Sequence, residues 1–397
     1  MPFPAPDLSI YLHIPFCSVR CTYCAFNIYA NLERLIPAYV DALCAELRVL
    51  GPQADKRVHT VYFGGGTPSL LTPAQVGQIL MAIRESFTVC DAPEISFEVN
   101  PEALPTGYFE ALRALGVNRL SIGMQSVHAD ELALFGRLHT PQDTARTVAA
   151  ARGAGFDNLS LDLIYGVPNQ TLEKWEASVR AALDLMPEHL SLYGLQVEDG
   201  TAFAKWIERG RLPTPDDDLA ADMYDAADAL ISDAGLAQYE ISTWARLGCE
   251  ARHNLQYWQY GDYLGVGVGA HGFVHGLRYS VIRSPQQYIK RVAAGAGTRY
   301  PRTASTDTME PISADQAMDE VMITGLRVLR EGVDQEAFRA RFGLSIAEVY
   351  GPALERLAGL GMLDVTPEAV RLTRPARLIS NQVLVHFTRE IPSPANP

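Results

Sequence analysis

Over the first 200 residues of the chain, short apolar runs alternate with longer segments in which apolar residues recur at helical spacing. Such apolar runs indicate buried strands, and they are predicted at residues 9–15, 58–63, 94–99, 119–125, 158–165 and 189–197. The intervening segments predict helices from about residues 35, 73, 106, 141 and 172, several with Ser, Thr or Pro in the first turn. Repeated strand–helix units are typical of an α/β fold with a parallel sheet. Six units are too few for a closed eight-stranded barrel, so we expect a partial, open (β/α)6 barrel of the TIM type.

The rest of the chain has a different pattern. A helix is predicted at residues 216–234, followed by an aromatic and glycine-rich stretch at 257–276 and a polar linker at about 301–313. Residues 314–387 predict three short helices, a hairpin and a last helix, which is a winged-helix-like α+β arrangement. We therefore predict a core domain at 1–235, a connecting region at 236–312 and a C-terminal domain at 313–397.

Composition restricts the classes of partner. The 397 residues are 48% hydrophobic and 20% charged, which is typical of a globular protein, and the net charge is −13 with a pI near 5.2. From residue 313 onward there are nine Arg, no Lys and eleven acidic residues, so we do not expect the C-terminal domain to bind nucleic acid. The sequence has no leader peptide pattern and no apolar run of about 18 residues. We expect a cytoplasmic protein without a membrane span, which leaves peripheral membrane contact open.

Half of the six cysteines lie within eight residues, in the sequence CSVRCTYC at Cys17, Cys21 and Cys24. Structural zinc sites usually have four ligands arranged in two pairs, and this run offers three thiols. Thiolates also bind iron–sulfur cubes, in which three cysteines leave the fourth iron open to another ligand. The alternatives are a zinc site completed by a distant histidine, or three buried thiols. We interpret Cys44, Cys90 and Cys249, which are scattered, as ordinary thiols.

Polar or glycine residues occur at or near the carboxyl end of each predicted strand. The carboxyl ends of barrel strands are where active sites form. Any one of these residues could be structural, but their recurrence on all six strands predicts a common site. They are Cys17, Gly64 to Thr67, Glu98, Gln125, Asp162 and Gln196.

The segment YLHIPFCSVRCTYCAF resembles the signature of the radical S-adenosylmethionine (SAM) superfamily. The resemblance implies a [4Fe-4S] cluster on Cys17, Cys21 and Cys24, with SAM bound to its open iron. It further implies that Gly65, Gly66 and Thr67 lie against the methionine end of SAM, although GGGTP is also compatible with a simple turn. The other positions implied to bind these groups are Tyr11 and Tyr23 beside the cluster, Glu98, Gln125, Arg137 and Asp162 in the SAM pocket, and Gln196 near the adenine. For Glu98, Arg137 and Asp162 an ion-pair network at the barrel mouth is the alternative.

Within the superfamily, the spacing from SIGMQS through Arg137 to LDLIYGVP is similar to that of the coproporphyrinogen III dehydrogenase-like family. The decarboxylating members have another cysteine two residues after the third, where this chain has Phe26. HNLQYW at residues 253–258 resembles the HNxxYW motif of the haem-chaperone branch, which implies His253 as a haem ligand. A structural histidine in an aromatic core is the alternative. His271 and His13 are further histidines without an assigned role.

The resemblance favours a haem chaperone that binds haem, a [4Fe-4S] cluster and SAM and delivers haem to a haem-acceptor protein, with an electron donor for the cluster. The alternative is the enzyme, an oxygen-independent coproporphyrinogen III dehydrogenase that decarboxylates propionate side chains. Both hypotheses require a porphyrin ligand and the same cluster. The catalytic residues are not predicted.

Overall fold

A computed structural model describes residues 7–102, 104–295 and 299–389. The first part of the chain alternates strands and helices, with the bounds β1 (Leu8–Ile14), β2 (Phe16–Cys17), β3 (Tyr29–Ala30), α1 (Ile36–Leu50), β4 (Val58–Gly65), α2 (Pro73–Ser86), β5 (Val89–Val99), α3 (Tyr108–Ala114), β6 (Arg119–Gln125), α4 (Ala129–Phe135), α5 (Pro141–Gly153), β7 (Leu159–Tyr165), α6 (Leu172–Asp184) and β8 (His189–Gly194). The next elements are α7 (Ala202–Glu208), α8 (Asp217–Asp233), β9 (Ala237–Glu240), β10 (Thr243–Ala245), α9 (Arg252–Trp258), β11 (Tyr263–Val266), β12 (His271–Val274), β13 (Leu277–Val281), α10 (Pro285–Ala294) and β14 (Thr306–Pro311). The last elements are α11 (Ala314–Gly325), β15 (Val333–Asp334), α12 (Gln335–Phe342), α13 (Ile346–Gly359), β16 (Leu363–Val365), β17 (Ala369–Leu372) and α14 (Ser380–Leu384).

One large sheet dominates the described part of the chain. Its strand order is β14-β13-β12-β11-β1-β4-β5-β6-β7-β8-β10-β9. The six predicted strands β1, β4, β5, β6, β7 and β8 are consecutive neighbours and pair in parallel. The sheet is open, since β14 and β9 end it without pairing to each other. The prediction of an α/β fold with a partial, open barrel is therefore confirmed.

The helices begin where the local sequence satisfies their first backbone N–H groups. Thr72 and Thr140 each cap a helix through a reciprocal capping box, and a proline follows each of them at the first helical position. The helices cover a sheet whose central residues, including Ile10, Phe97 and Leu161, are fully buried. No helix in the described ranges is both long enough and apolar enough to cross a lipid bilayer.

Residues 236–312, predicted as a connecting region, add strands to both edges of the large sheet. β10 and β9 extend it beyond β8 in antiparallel pairing. β11 pairs in parallel with β1, and β12, β13 and β14 continue outward from it in antiparallel pairing. The strands in this region were not predicted, because they are short and several contain glycine, which strands disfavour. The boundaries at residues 235 and 312 stay predictions.

The C-terminal region forms a second, smaller core. Three helices, α11 to α13, pack with the three-stranded sheet β15-β17-β16 and with α14 around Phe338, Tyr350 and Phe387. β16 and β17 form the predicted hairpin. Ion pairs join this region to the large sheet, with Arg278 of β13 contacting Glu320 at 2.7 Å. Residues 390–397 of the predicted C-terminal domain lie outside the described residues.

Candidate metal centre and adjoining cavity

The three clustered cysteines lie on one loop at the carboxyl end of β1. The short strands β2 and β3 pair in parallel, with Phe16 opposite Tyr29 and Cys17 opposite Ala30, and thereby close the loop that carries Cys21 and Cys24. The loop is tied to the neighbouring barrel by Thr22, whose backbone N–H and hydroxyl donate to the carbonyls of Phe135 and Leu134. The fold thus brings all three thiols to the edge where the parallel strands end.

The glycines after β4 lie directly against this loop. The N–H of Gly66 donates to the Ile14 carbonyl and that of Thr67 to the Phe16 carbonyl, both at 2.8 Å. A Cβ atom on Gly66 would lie 2.6 Å from the Phe16 carbonyl oxygen and 3.0 Å from the Cys17 sulfur. Gly65 has a φ of +112°, a conformation that side chains disfavour. Gly66 is therefore required for the close approach of two backbone segments, in addition to any contact with SAM.

A chain of polar side chains links two of the sulfur atoms. The Thr67 hydroxyl donates to the Cys17 sulfur at 3.4 Å, and the Asn100 amide donates to the Thr67 hydroxyl at 3.2 Å. Arg137 donates to the Asn100 side chain at 2.9 Å and to the Cys21 sulfur at 3.6 Å. A guanidinium beside sulfur stabilises the thiolate form, which is the form that binds metals.

Arg137 and Asn100 are the central residues of this network. Arg137 also donates to the Gly123 carbonyl at 2.9 Å, so its guanidinium already serves three partners inside the protein. Sequence reasoning missed Asn100, although the signal was present, because Asn100 directly follows the predicted strand that ends at Val99.

Two buried carboxylates lie deeper in the site. Glu98 accepts hydrogen bonds from the Tyr62 hydroxyl at 2.8 Å and from the Gly65 N–H at 3.1 Å. Burial, helped by the nearby charge of Asp162, raises the pKa of Glu98 to about 7. Asp162 accepts from the hydroxyls of Ser121 at 2.9 Å and Ser160 at 3.2 Å, and burial raises its pKa as well. Carboxylates poised in this way can accept hydrogen bonds from an ammonium or ribose group.

A cavity of about 470 Å³ opens at this edge of the sheet. Its volume is within the range of small-molecule sites. Gln196 lies in the loop after β8, which ends at Gly194, and contributes to the rim. Most of the predicted site residues line the cavity, namely Cys17, Cys21, Cys24, Tyr23, Gly65, Gly66, Thr67, Glu98, Gln125, Arg137, Asp162 and Gln196.

Tyr11 and His253 do not line the cavity and lie behind its wall. The Tyr11 hydroxyl is hydrogen-bonded to His13 Nδ1 at 3.0 Å, and its ring stacks on Tyr62. His253, which is 1% exposed, also stacks on Tyr62, with 5.0 Å between the centres of the two rings. Tyr62 therefore separates His253 from the carboxylate of Glu98.

Both ring nitrogens of His253 are occupied. Nδ1 is hydrogen-bonded to the Thr60 hydroxyl at 2.8 Å and Nε2 to the Tyr257 hydroxyl at 2.7 Å. Burial, with the nearby His59, lowers the pKa of His253 to about 3, so the ring is neutral. In this arrangement His253 has no free nitrogen for a haem iron. Its predicted role as a haem ligand stays a prediction, and it requires one of these two hydrogen bonds to break so that a nitrogen becomes free for the iron.

The donor set fits an iron–sulfur cube better than a single ion. Among the described residues, no three His, Cys, Asp or Glu side chains converge on a point that one metal ion could occupy. A cube binds each cysteine through a different iron, so its ligands surround a volume and do not converge. Burial raises the pKa of Cys17 to about 11, so cluster binding must displace a proton from this thiol. Cys17, Cys21 and Cys24 would hold the cluster, with SAM in the adjoining cavity.

Replacing Cys17, Cys21 or Cys24 with Ala should abolish the cluster. The wild-type chain should take up about four irons and four sulfides in anaerobic reconstitution. Iron and sulfide analysis with the visible absorption spectrum measures the loss. Alanine variants of Cys44, Cys90 and Cys249 are matched controls, since none of the three lines the cavity. Loss of the cluster in a control variant, with retention in one of the first three, would contradict the ligand assignment.

Two known family models match the chain, one in its first part and one in its C-terminal part. The profile of the radical SAM superfamily matches residues 11–182. The profile of the HemN C-terminal domain matches residues 312–379. The second match covers most of the segment that contains the small C-terminal core.

Similarity to individual proteins extends over nearly the full length. The chain is 39% identical to the heme chaperone HemW of Mycobacterium tuberculosis, covering 96% of this chain and 95% of that protein. It is 36% identical to the heme chaperone HemW of Bacillus subtilis, covering 96% and 100%. Among solved structures, the chain resembles the coproporphyrinogen III oxidase HemN of Escherichia coli, which is described as a radical SAM enzyme. The TM-score is 0.83 and the sequence identity 26%, and the match covers 97% of this chain and 91% of HemN. The chain belongs to the radical SAM superfamily and, within it, to the HemW family.

Proposed function

We propose that the chain is a haem chaperone, which binds haem together with a [4Fe-4S] cluster and SAM and delivers haem to haem-dependent proteins. The observation that carries this proposal is the similarity to heme chaperones HemW, at 39% identity over 96% of the chain. A fold alone does not define a function, but identity at this level over both parts of the chain supports a shared one.

The alternative is decarboxylation of coproporphyrinogen III, which the likeness to the HemN structure favours. Against it stands Phe26, which occupies the position of a further cysteine in the decarboxylating relatives. The Phe26 side chain is 67% exposed and lines the cavity, so an apolar ring is present where the enzyme would have a thiol. We therefore propose that this chain does not turn over coproporphyrinogen.

The site residues have distinct proposed roles. A reduced cluster supplies an electron that cleaves the sulfonium of SAM in radical SAM chemistry. In this chain, Glu98 and Asp162 would accept hydrogen bonds from the polar groups of SAM, and Arg137 would hold Cys21 and Asn100 in place. Tyr23 packs edge-on against Phe135, which fixes its ring beside the cysteine loop. Gln125 would contact SAM in the same pocket, and Gln196 would lie near its adenine.

The proposed function requires two kinds of protein partner. Haem delivery requires an acceptor protein, and reduction of the cluster requires an electron donor. The net charge of −13 disfavours nucleic acid and anionic lipid as partners. We propose that haem transfer takes place in the cytoplasm.

SAM affinity should depend on the ionisation of Glu98. SAM's ammonium group binds the charged carboxylate better than the neutral acid, so affinity should fall as the pH drops below the Glu98 pKa of about 7 and level off above it. Calorimetric titration of the cluster-loaded protein with SAM across this range measures the effect. Glu98→Gln should bind SAM more weakly above pH 7 and lose the pH dependence. If Glu98→Gln kept the wild-type pH dependence of SAM affinity, another group would be responsible for the titration. Asp162→Asn then tests whether that group is Asp162.

The purified protein should bind ferric haem and should form no protoporphyrinogen IX from coproporphyrinogen III with SAM and a reductant. A haem titration followed in the Soret region measures the first property. Product analysis of the anaerobic reaction measures the second, with the E. coli coproporphyrinogen III oxidase as positive control. Robust porphyrinogen turnover, with haem affinity no better than that of an unrelated acidic protein, would reassign the chain to the enzyme.

A further inference from the structure

The nine histidines of the chain differ in whether an iron could reach them. Most have their imidazoles hydrogen-bonded to other groups, namely His13, His59, His128, His139, His189, His253 and His275. Within the described ranges, only His271 and His386 have imidazoles without a hydrogen bond, and both are exposed. An axial haem ligand needs an accessible nitrogen with a free lone pair. Both ring nitrogens of His271 and His386 are free of hydrogen bonds to described residues, whereas the third exposed histidine, His275, has its Nε2 bonded to Asp55 at 3.1 Å.

His271 lies near the cysteine loop, whereas His386 lies in the C-terminal region. Gly265 of β11 pairs with Tyr11 of β1, and a Cβ on Gly265 would lie 1.8 Å from the His271 carbonyl oxygen. His271 therefore lies on β12, beside Gly265 of β11, and Gly265 in turn lies beside Tyr11 of β1. Burial lowers the pKa of His13, which is two residues after Tyr11, and the nearby His271 ring lowers this pKa further, so the two rings are close to each other. His13 in turn contacts Gly65, which lines the cavity.

The cysteine loop is bound directly to the segments on both sides of His271. The Asn27 amide donates to the carbonyl of Val268 at 3.3 Å and to that of Arg283 at 3.2 Å. The Tyr29 hydroxyl also donates to the Arg283 carbonyl, at 2.6 Å. Phe26, which directly precedes Asn27, is exposed and provides an apolar ring in the same region. The surroundings of His271 are thus continuous with the loop that would hold the cluster.

One guanidinium near His271, unpaired among the described residues, could pair with a haem propionate. Arg283 is exposed, and its guanidinium makes no ion pair or hydrogen bond with any residue in the described part of the chain. Arg278 is also near, but it is paired with Glu320. Partial burial and these two guanidinium groups lower the pKa of His271, so its ring is neutral and its lone pair available at neutral pH.

We propose that His271 is the axial ligand of the haem iron and that Arg283 binds a haem propionate, at an exposed site beside the cysteine loop. This inference rests on the proposed function, since it names the site at which the chaperone binds haem. It assigns His253 to the interior, where the ring supports the cavity wall through Tyr62. The site would also place haem beside the loop that would hold the cluster.

Titration of the full-length, haem-free protein with ferric haem tests the assignment. His271→Ala should weaken haem binding by about tenfold or more and shift the Soret band, because the bond from imidazole to iron is lost. Added free imidazole should restore the Soret position in this variant. Arg283→Gln should weaken binding and leave the Soret position unchanged, because it removes a propionate contact and retains the iron ligand.

His386→Ala is the matched control, since His386 is also exposed and also free of hydrogen bonds to described residues, and this variant should bind haem as the wild type does. Circular dichroism verifies that each variant is folded. Wild-type affinity and spectrum in folded His271→Ala would overturn the inference and leave the proposed function standing. Loss of the Soret signature in folded His253→Ala, with retention in His271→Ala, would overturn it in favour of His253. A wild-type protein that fails to bind haem would contradict the proposed function itself.

Discussion

The contact between the glycine edge and the cysteine loop is the constraint on which the site depends. Gly66 lies so close to Phe16 and Cys17 that no side chain fits between them, and the two segments are joined by backbone hydrogen bonds at 2.8 Å. One of these segments carries the first proposed cluster ligand, and the other forms a wall of the cavity. The position of the metal centre relative to the cavity is therefore set by main-chain geometry, which tolerates little change. Thr67, Asn100 and Arg137 extend this connection to Cys21.

Behind the cavity wall, a second set of contacts joins the HNxxYW segment to the same site. Glu94 caps the first turn of α9, accepting from the N–H groups of Arg252 and His253 at 3.0 Å each. The His253 ring then stacks on Tyr62, whose hydroxyl donates to Glu98. Buried, fully hydrogen-bonded polar groups of this kind restrict a core to one arrangement. The motif thus has a structural explanation in this chain that is independent of haem.

Much of the fold and the centre of the site could be predicted from the sequence, for physical reasons that differ between elements. The parallel strands are buried on both faces, so their apolar runs are unmistakable, and CSVRCTYC has few chemical uses. The short added strands β11 and β12 contain Gly265 and Gly272, which weaken any strand pattern. The direction of a side chain is set by packing with distant segments. For this reason, sequence reasoning did not foresee that Tyr11 and His253 lie behind the cavity wall or that Asn100 joins Thr67 to Arg137.

The central claim is that three cysteines hold a cluster whose remaining iron faces SAM in the adjoining cavity. Low-temperature electron paramagnetic resonance of the reduced, reconstituted protein, recorded with and without SAM, tests it most directly. The account predicts that SAM changes the spectrum of the cluster, because the iron without a cysteine acquires a new ligand. An unchanged spectrum, under conditions where calorimetry shows SAM bound, would mean that SAM binds away from the cluster and would contradict the account.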